Sequence, residues 1–146
     1  MSANAKDLHD ALLIVEDNPD DLHLLQRSLR KTGSSIPVRT AADGQAALEY
    51  LGAYQAGTTP DRLLAILLDL KLPRVSGFEI LAMVKEHPKT QAVPVVVLTS
   101  SGEGDDIRNA YRLGANSYLR KPADPGDLTA LVSSIERYWL QHNLSP

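Results

Sequence analysis

The sequence predicts an α/β fold, a parallel sheet with helices on both faces, and three observations carry the prediction. Short apolar runs recur and stop at acidic or hydroxyl residues: Ala11–Val15 before Glu16-Asp17, Leu63–Leu68 before Asp69, and Val93–Leu98 before Thr99. Such uninterrupted runs, bounded by turn residues, are what strands buried on both faces of a parallel sheet look like. The runs alternate with amphipathic helical stretches that open on capping residues, as at Asn18-Pro19, Ser76 and Asp124-Pro125. Strand and helix in strict alternation, joined by short connections, force parallel strands with helical crossovers.

Taken in order, Ala11–Val15 is the first strand, and Asn18 caps a helix with Pro19 at its first position and Asp20 and Asp21 in its first turn. Leu22, Leu25 and Leu29 supply its apolar stripe, and Arg27, Arg30, Lys31 and Gly33 its stop. Ile36–Ala41 reads as a less apolar edge strand, followed by a helix capped by Asp43 that carries Ala47, Leu48 and Leu51. Gly52–Arg62, with Gly57, Thr58, Thr59 and Pro60, reads as a long surface loop. After Leu63–Leu68, Lys71–Val75 forms a loop above the sheet, and Ser76 with Glu79 makes a capping box for a helix through Ile80, Leu81 and Val84 that ends at His87-Pro88. Val93–Leu98 tolerates Pro94 near its start, where a missing N–H is harmless. A helix with Ile107, Ala110 and Tyr111 closes at Gly114, Asn116–Leu119 is a short fifth strand, and the last helix, capped by Asp124, lines up Leu128, Leu131, Val132, Ile135 and Trp139. Five such units account for residues 1–146 as one domain with a polar lead over residues 1–9 and no output domain.

Composition excludes several classes. With no cysteine there are no disulfides, thiolate metal sites or cysteine nucleophiles, which suits a reducing, cytoplasmic setting. A net charge of −3 with scattered Lys and Arg offers no basic field for nucleic acid. The apolar runs fall far short of the roughly 18 residues of a membrane span, and Met1–Asp10 has no signal-peptide core. Neither nucleic acid nor membrane is an expected partner.

A doubly wound sheet would bring Glu16-Asp17, Asp69, Thr99 and Lys121 to one edge, where ligands of open α/β sheets bind. Three carboxylates held together repel one another unless a cation neutralises them, and a hard divalent ion such as Mg2+ is suited to an all-oxygen site. Lys121 offers a mobile point charge for a phosphoryl or carboxylate group, and Thr99 a hydroxyl donor.

Val15-Glu16-Asp17-Asn18, Asp69-Leu70-Lys71-Leu72-Pro73, Leu98-Thr99-Ser100 and Tyr118-Leu119-Arg120-Lys121-Pro122, in that order and at those strand ends, resemble the receiver domain of two-component response regulators. The resemblance covers nearly the whole chain and implies a flavodoxin-like sheet of order 2-1-3-4-5. It implies that Asp69 accepts a phosphoryl group from a histidine kinase phosphohistidine. Asp17, Asp69 and the backbone carbonyl of Lys71 would bind Mg2+, with Glu16 helping through water. Thr99 and Lys121 would hold the phosphoryl oxygens. Thr99 and Tyr118 would act as the switch pair for a surface of helix 4, strand 5 and helix 5. It further implies a cis bond between Lys121 and Pro122, and a homodimer through that surface with Tyr111, Tyr118, Tyr138 and Trp139 in or beside it. On this reading the chain is a signalling protein rather than an enzyme.

Two features depart from the usual pattern: Glu16 stands where many receivers have Asp, and the Gly52–Arg62 connection is long. That connection, Glu16-Asp17-Asn18-Pro19, the Asp69–Pro73 turn and Tyr138-Trp139 are similar to single-domain regulators paired with phytochrome-type histidine kinases. Two other functions stay open. An aspartyl-phosphate hydrolase would want an acid two residues after Asp69, where Lys71 stands. A receiver-like adaptor working without phosphorylation would usually have lost an acid, the lysine or the hydroxyl, and all are present.

Overall fold

A computed structural model describes residues 8–146; residues 1–7, part of the expected polar lead, lie outside the described residues. Five parallel strands, β1 (His9–Val15), β2 (Val38–Ala41), β3 (Asp61–Leu68), β4 (Val95–Thr99) and β5 (Ser117–Arg120), form one sheet in the order β2-β1-β3-β4-β5. The helices are α1 (Pro19–Lys31), α2 (Gly44–Gln55), α3 (Gly77–Glu86), α4 (Gly104–Arg112) and α5 (Pro125–Ile135), the last passing into a π-helical segment, Glu136–His142. The flavodoxin-like α/β architecture expected from the sequence is present.

Two apolar cores sit on the two sides of the sheet. Leu13, Val15, Ile66, Leu68, Val95 and Val97 pack against α2, α3 and Ala110 of α4. Leu12, Ile14, Ala65, Leu67, Val96 and Leu98 face Leu25 and Leu29 of α1 and Leu128, Val132 and Ile135 of α5. Alternation along each strand feeds both cores, so Ala11–Val15, Leu63–Leu68 and Val95–Leu98 are apolar at successive positions. One irregularity interrupts it. Ala11 pairs with Leu63 and Leu12 with Ala65, which makes Leu64 an extra residue, a bulge in β3.

The caps read from sequence are in place. Asn18 accepts hydrogen bonds from the Asp20 and Asp21 amides, Asp43 from Ala46, Ser76 from Glu79, and Asp124 from Gly126 and Asp127.

The long Gly52–Arg62 loop is a misreading. Helix α2 runs to Gln55 and β3 begins at Asp61, so only residues 56–60 connect them. Gly52 lies on the exposed side of α2 and meets nothing, while Leu51 is fully buried and the Tyr54 hydroxyl accepts the Leu63 N–H at 3.1 Å. Asp61 and Arg62, which look like loop residues, are strand residues whose charges are paired. The Asp61 carboxylate, 5 % exposed, accepts two bonds from Arg39 at 3.0 Å and one from the Tyr50 hydroxyl at 2.6 Å. Arg62 pairs with Asp10 at 2.8 Å.

Smaller boundary differences follow from partners as well. His9 and Asp10, assigned to the lead or its border, extend β1 opposite Asp61 and Arg62. β2 starts at Val38 rather than Ile36, because Pro37 joins only through its carbonyl, which accepts the Leu12 N–H. The final helix widens after Ile135. The buried Glu136 carboxylate receives the Gln141 amide at 2.8 and 2.9 Å, and Asn143 N–H donates to Tyr138 at 2.7 Å, both at the five-residue spacing of a π turn.

Candidate functional site

Register alone assembles the site. Val15 pairs with Leu68 and Leu68 with Val97, so Glu16 and Asp69 leave adjacent strand ends side by side. The Asp69 N–H donates to the Val15 carbonyl and the Glu16 N–H to that of Ala41, which keeps both backbones on the sheet edge. Thr99 pairs with Arg120, and the Lys121 N–H donates to the Thr99 carbonyl at 2.7 Å, turning the next residue over the same edge.

Glu16, Asp17 and Asp69 each offer a carboxylate oxygen within 4.8 Å of the others, with Glu16 and Asp69 buried and Asp17 half-buried. Lys121 reaches into this cluster. Its ammonium lies 2.5 Å from Glu16 Oε1, 2.9 Å from Asp69 Oδ2 and 3.0 Å from Asp21 Oδ2. The second Asp69 oxygen accepts the Lys71 N–H at 3.1 Å, and the second Glu16 oxygen the Asn18 N–H at 3.2 Å.

Electrostatics follow from crowding. Burial pushes the Glu16 carboxyl up to about 7, with the Lys121 bond opposing and the Asp69 charge reinforcing the rise. Burial alone would lower the Lys121 ammonium, but its bonds to Glu16, Asp69 and Asp21 reverse that and hold it above its ordinary range. One lysine therefore does not neutralise the cluster. A site of three oxygen-bearing acids with charge to spare fits a hard divalent cation.

Thr99 is fully buried, and its hydroxyl has no hydrogen-bond partner among the described residues. Buried hydroxyls are nearly always paired, so a lone one at a strand end is a donor awaiting an acceptor. Tyr118, half-buried, donates from its hydroxyl to the Ser101 carbonyl at 2.9 Å, and its backbone N–H donates to the Tyr111 hydroxyl at 3.2 Å. The Ser101 hydroxyl and Asp106 carboxylate lie 2.6 Å apart, and Asp106 pairs with Lys71 at 3.3 Å. The loop after Asp69 is thereby tied to the start of α4.

Glu16, Asp17, Asp69, Thr99 and Lys121 thus stand together on this edge. The expected cis bond at Lys121–Pro122 is not there. All peptide bonds among the described residues are trans, and Lys121 is placed by β5 pairing and its bond to Thr99. Two participants escaped sequence reasoning. Asp21 reads from the sequence only as a favourable charge at a helix start, and nothing local marks Asp106; the lysines that pair with them, Lys121 and Lys71, are remote in sequence, and spacing carries no sign of them. Of the aromatics, Tyr111 and Tyr138 are exposed by 49 % and 56 %, whereas Trp139 is half-buried against the α1/α5 core with Tyr138 edge-on to it.

Comparisons with known proteins converge. The profile of the response regulator receiver domain matches residues 12–133. The response regulator Rcp1 of Synechocystis is 38 % identical over 133 residues, covering 89 % of this chain and 88 % of that protein. A probable methanogenesis regulatory protein, FilR2, of Methanothrix harundinacea is 42 % identical over 136 residues, covering 92 % and 86 %. Among solved structures, the phosphorylated cyanobacterial phytochrome response regulator RcpA superposes with a TM-score of 0.87 at 38 % identity, covering 94 % of this chain and 99 % of that one. The Mn2+-bound form of Rcp1 gives 0.85 at 37 % identity, covering 93 % and 98 %.

Proposed function

The chain belongs to the response regulator receiver domain family of two-component signalling, and from that premise we propose that it is a phospho-accepting switch with Asp69 as the acceptor. A carboxylate oxygen of Asp69 attacks the phosphorus of a kinase phosphohistidine in line with the departing nitrogen. The new O–P bond forms as the N–P bond breaks, and the imidazole keeps the electron pair. The observation that carries this reading is the buried, unpartnered Thr99 hydroxyl at the strand end beside the Lys121–Asp69 pair. A phosphoryl group on Asp69 would give that hydroxyl an acceptor and Lys121 a charge to hold.

Glu16, Asp17, Asp69 and the Lys71 carbonyl would hold Mg2+, which supplies charge neutralisation for the phosphoryl oxygens when bound. The acidic cluster supports this, and the related Rcp1 has been seen with Mn2+. Thr99 drawn towards the phosphoryl group, with Tyr118 and its Ser101 bond beside it, would pass the change to α4, β5 and α5. Partner contact through that surface, including a homodimer, is the output, and the exposed Tyr111 supports a contact role there.

The partner upstream is a sensor histidine kinase, and the likeness to the phytochrome response regulator RcpA supports one of the phytochrome type, acting in the cytoplasm. No described helix is long and apolar enough to cross a membrane. The match to RcpA, over 94 % of this chain and 99 % of that one, supports reading the matched residues as one receiver domain.

Intact mass after incubation with acetyl phosphate and Mg2+ tests the acceptor. Wild type gains one phosphoryl group and Asp69→Asn gains none; an equal adduct on both overturns the assignment. Phosphotransfer profiling against the histidine kinases of the source organism tests the partner, a single fast phytochrome-type donor being the expected result.

A further inference from the structure

An ammonium has three N–H bonds to give, and in Lys121 all three are spent on carboxylates: Glu16, Asp69 and Asp21. Two of these belong to the cluster that would hold a divalent cation; Asp21 does not. Any cation taken up by Glu16 and Asp69 therefore competes with Lys121 for the oxygens of these two acids. Lys121 is 10 % exposed in its side chain and cannot simply retreat to water, so it needs another anion to face.

Asp21 is built to be that anion. It sits in the first turn of α1, outside the sheet edge, with its side chain 35 % exposed. Its backbone is pinned, since the Asp21 N–H donates to the Asn18 carboxamide oxygen at 3.1 Å, and Asn18 in turn donates its N–H to Glu16. The turn that aims Asp21 at Lys121 is thus tied to the residue Lys121 would release.

We propose that Asp21 is a positioning residue for Lys121, a second seat on which the ammonium stays when Glu16 and Asp69 are given over to a divalent cation. The inference rests on the function proposed above, and it assigns Asp21 a part beside the acids of the cluster. Without Asp21 the ammonium remains locked on Glu16 and Asp69 and opposes entry of the cation.

Calorimetric titration with Mn2+, with no phosphoryl donor present, reads this directly. Asp21→Asn should weaken Mn2+ binding roughly three- to tenfold, the size of one partly exposed charge-assisted bond, and Asp21→Glu should restore most of it. In a Lys121→Met background the same Asp21→Asn change should cost much less, because no ammonium is left to reseat; Lys121→Ala serves if the Met variant does not fold. Equal weakening with and without Lys121 means that Asp21 acts only by its charge through space, and overturns the proposal. So does unchanged binding in Asp21→Asn, or a wild type that takes up no Mn2+. A wild type that shows the Lys121-dependent pattern yet gains no phosphoryl group from acetyl phosphate overturns the function proposed above and leaves this role for Asp21 standing.

Discussion

Gly77 lies so close to the backbone of Asp69 that a Cβ at residue 77 would fall on the Asp69 carbonyl oxygen and on Leu70 Cα. The start of α3 thus buttresses the acceptor, and the Gly77 N–H donates to the Leu70 carbonyl at 3.1 Å from the same position. Gly77→Ala must push either the helix or the acceptor turn aside. We expect a loss of about 1–3 kcal/mol, typical of overpacking against backbone, and slower phosphorylation by acetyl phosphate. Urea denaturation and an intact-mass time course measure the two effects, and wild-type values in both would mean that the turn yields freely.

Thr99→Val should separate stability from function. It replaces a buried, unpartnered hydroxyl by a methyl group of similar shape, removing a polar group whose burial costs about 1–3 kcal/mol. The variant is expected to unfold at higher urea concentration than wild type while losing the surface response to phosphorylation. A destabilised Thr99→Val would show that the hydroxyl is satisfied by water in solution.

Far from the acceptor, Asp61 gives the fold an acid-sensitive joint. The hydrogen bonds from Arg39, with the one from Tyr50, hold its carboxyl below the usual range despite burial. Because the folded value is lowered, the stabilisation is fully present above the unfolded value of about 3.9 and disappears as pH falls through the folded one. Asp61→Asn should cost about 1.5–3 kcal/mol at neutral pH and flatten the loss of stability below pH ~4. Tyr50→Phe, which leaves Arg39 in place, should cost about 1 kcal/mol. Thermal melts across pH 3 to 7, a window set around that unfolded value, would reveal either a flattened acid limb or an unchanged one that removes Asp61 from the account.

Trp139→Ala should lower stability by about 1–3 kcal/mol, less than a fully buried Trp, since this ring is half-buried against the α1/α5 core. Tyr111→Ala should leave stability near wild type and weaken association instead. Analytical ultracentrifugation with and without a phosphoryl mimic distinguishes the two, and a strict monomer in every state would remove the proposed homodimer.

What the sequence made legible was whatever the chain states locally. Leu63–Leu68 ending at Asp69 needs no partner to be read, and neither do the caps at Asn18, Asp43 and Asp124. What stayed hidden depends on remote partners. Gly57-Thr58-Thr59-Pro60 has the composition of a loop, and Asp61-Arg62 reads as its continuation because the groups that pair them, Arg39, Tyr50 and Asp10, lie elsewhere in the chain. Lys121 meets Asp21 across 100 residues of chain, and no periodicity links them. The solitude of the Thr99 hydroxyl is a property of packing, which single positions do not record.

The bulge at Leu64 sets two phases within one strand. Upstream of it Asp61 and Leu63 look towards α2; downstream Ile66 and Leu68 do so, and without the extra residue the two sets would fall on opposite sides. One end of β3 can therefore be committed to the Asp61 joint while the other keeps its own frame for presenting Asp69. Deleting Leu64 would force a choice between them, whereas a compensating insertion nearer Pro60 would leave the choice unmade. A change of length upstream of Leu64 would thus leave the frame of Asp69 untouched, whereas one downstream of it would not.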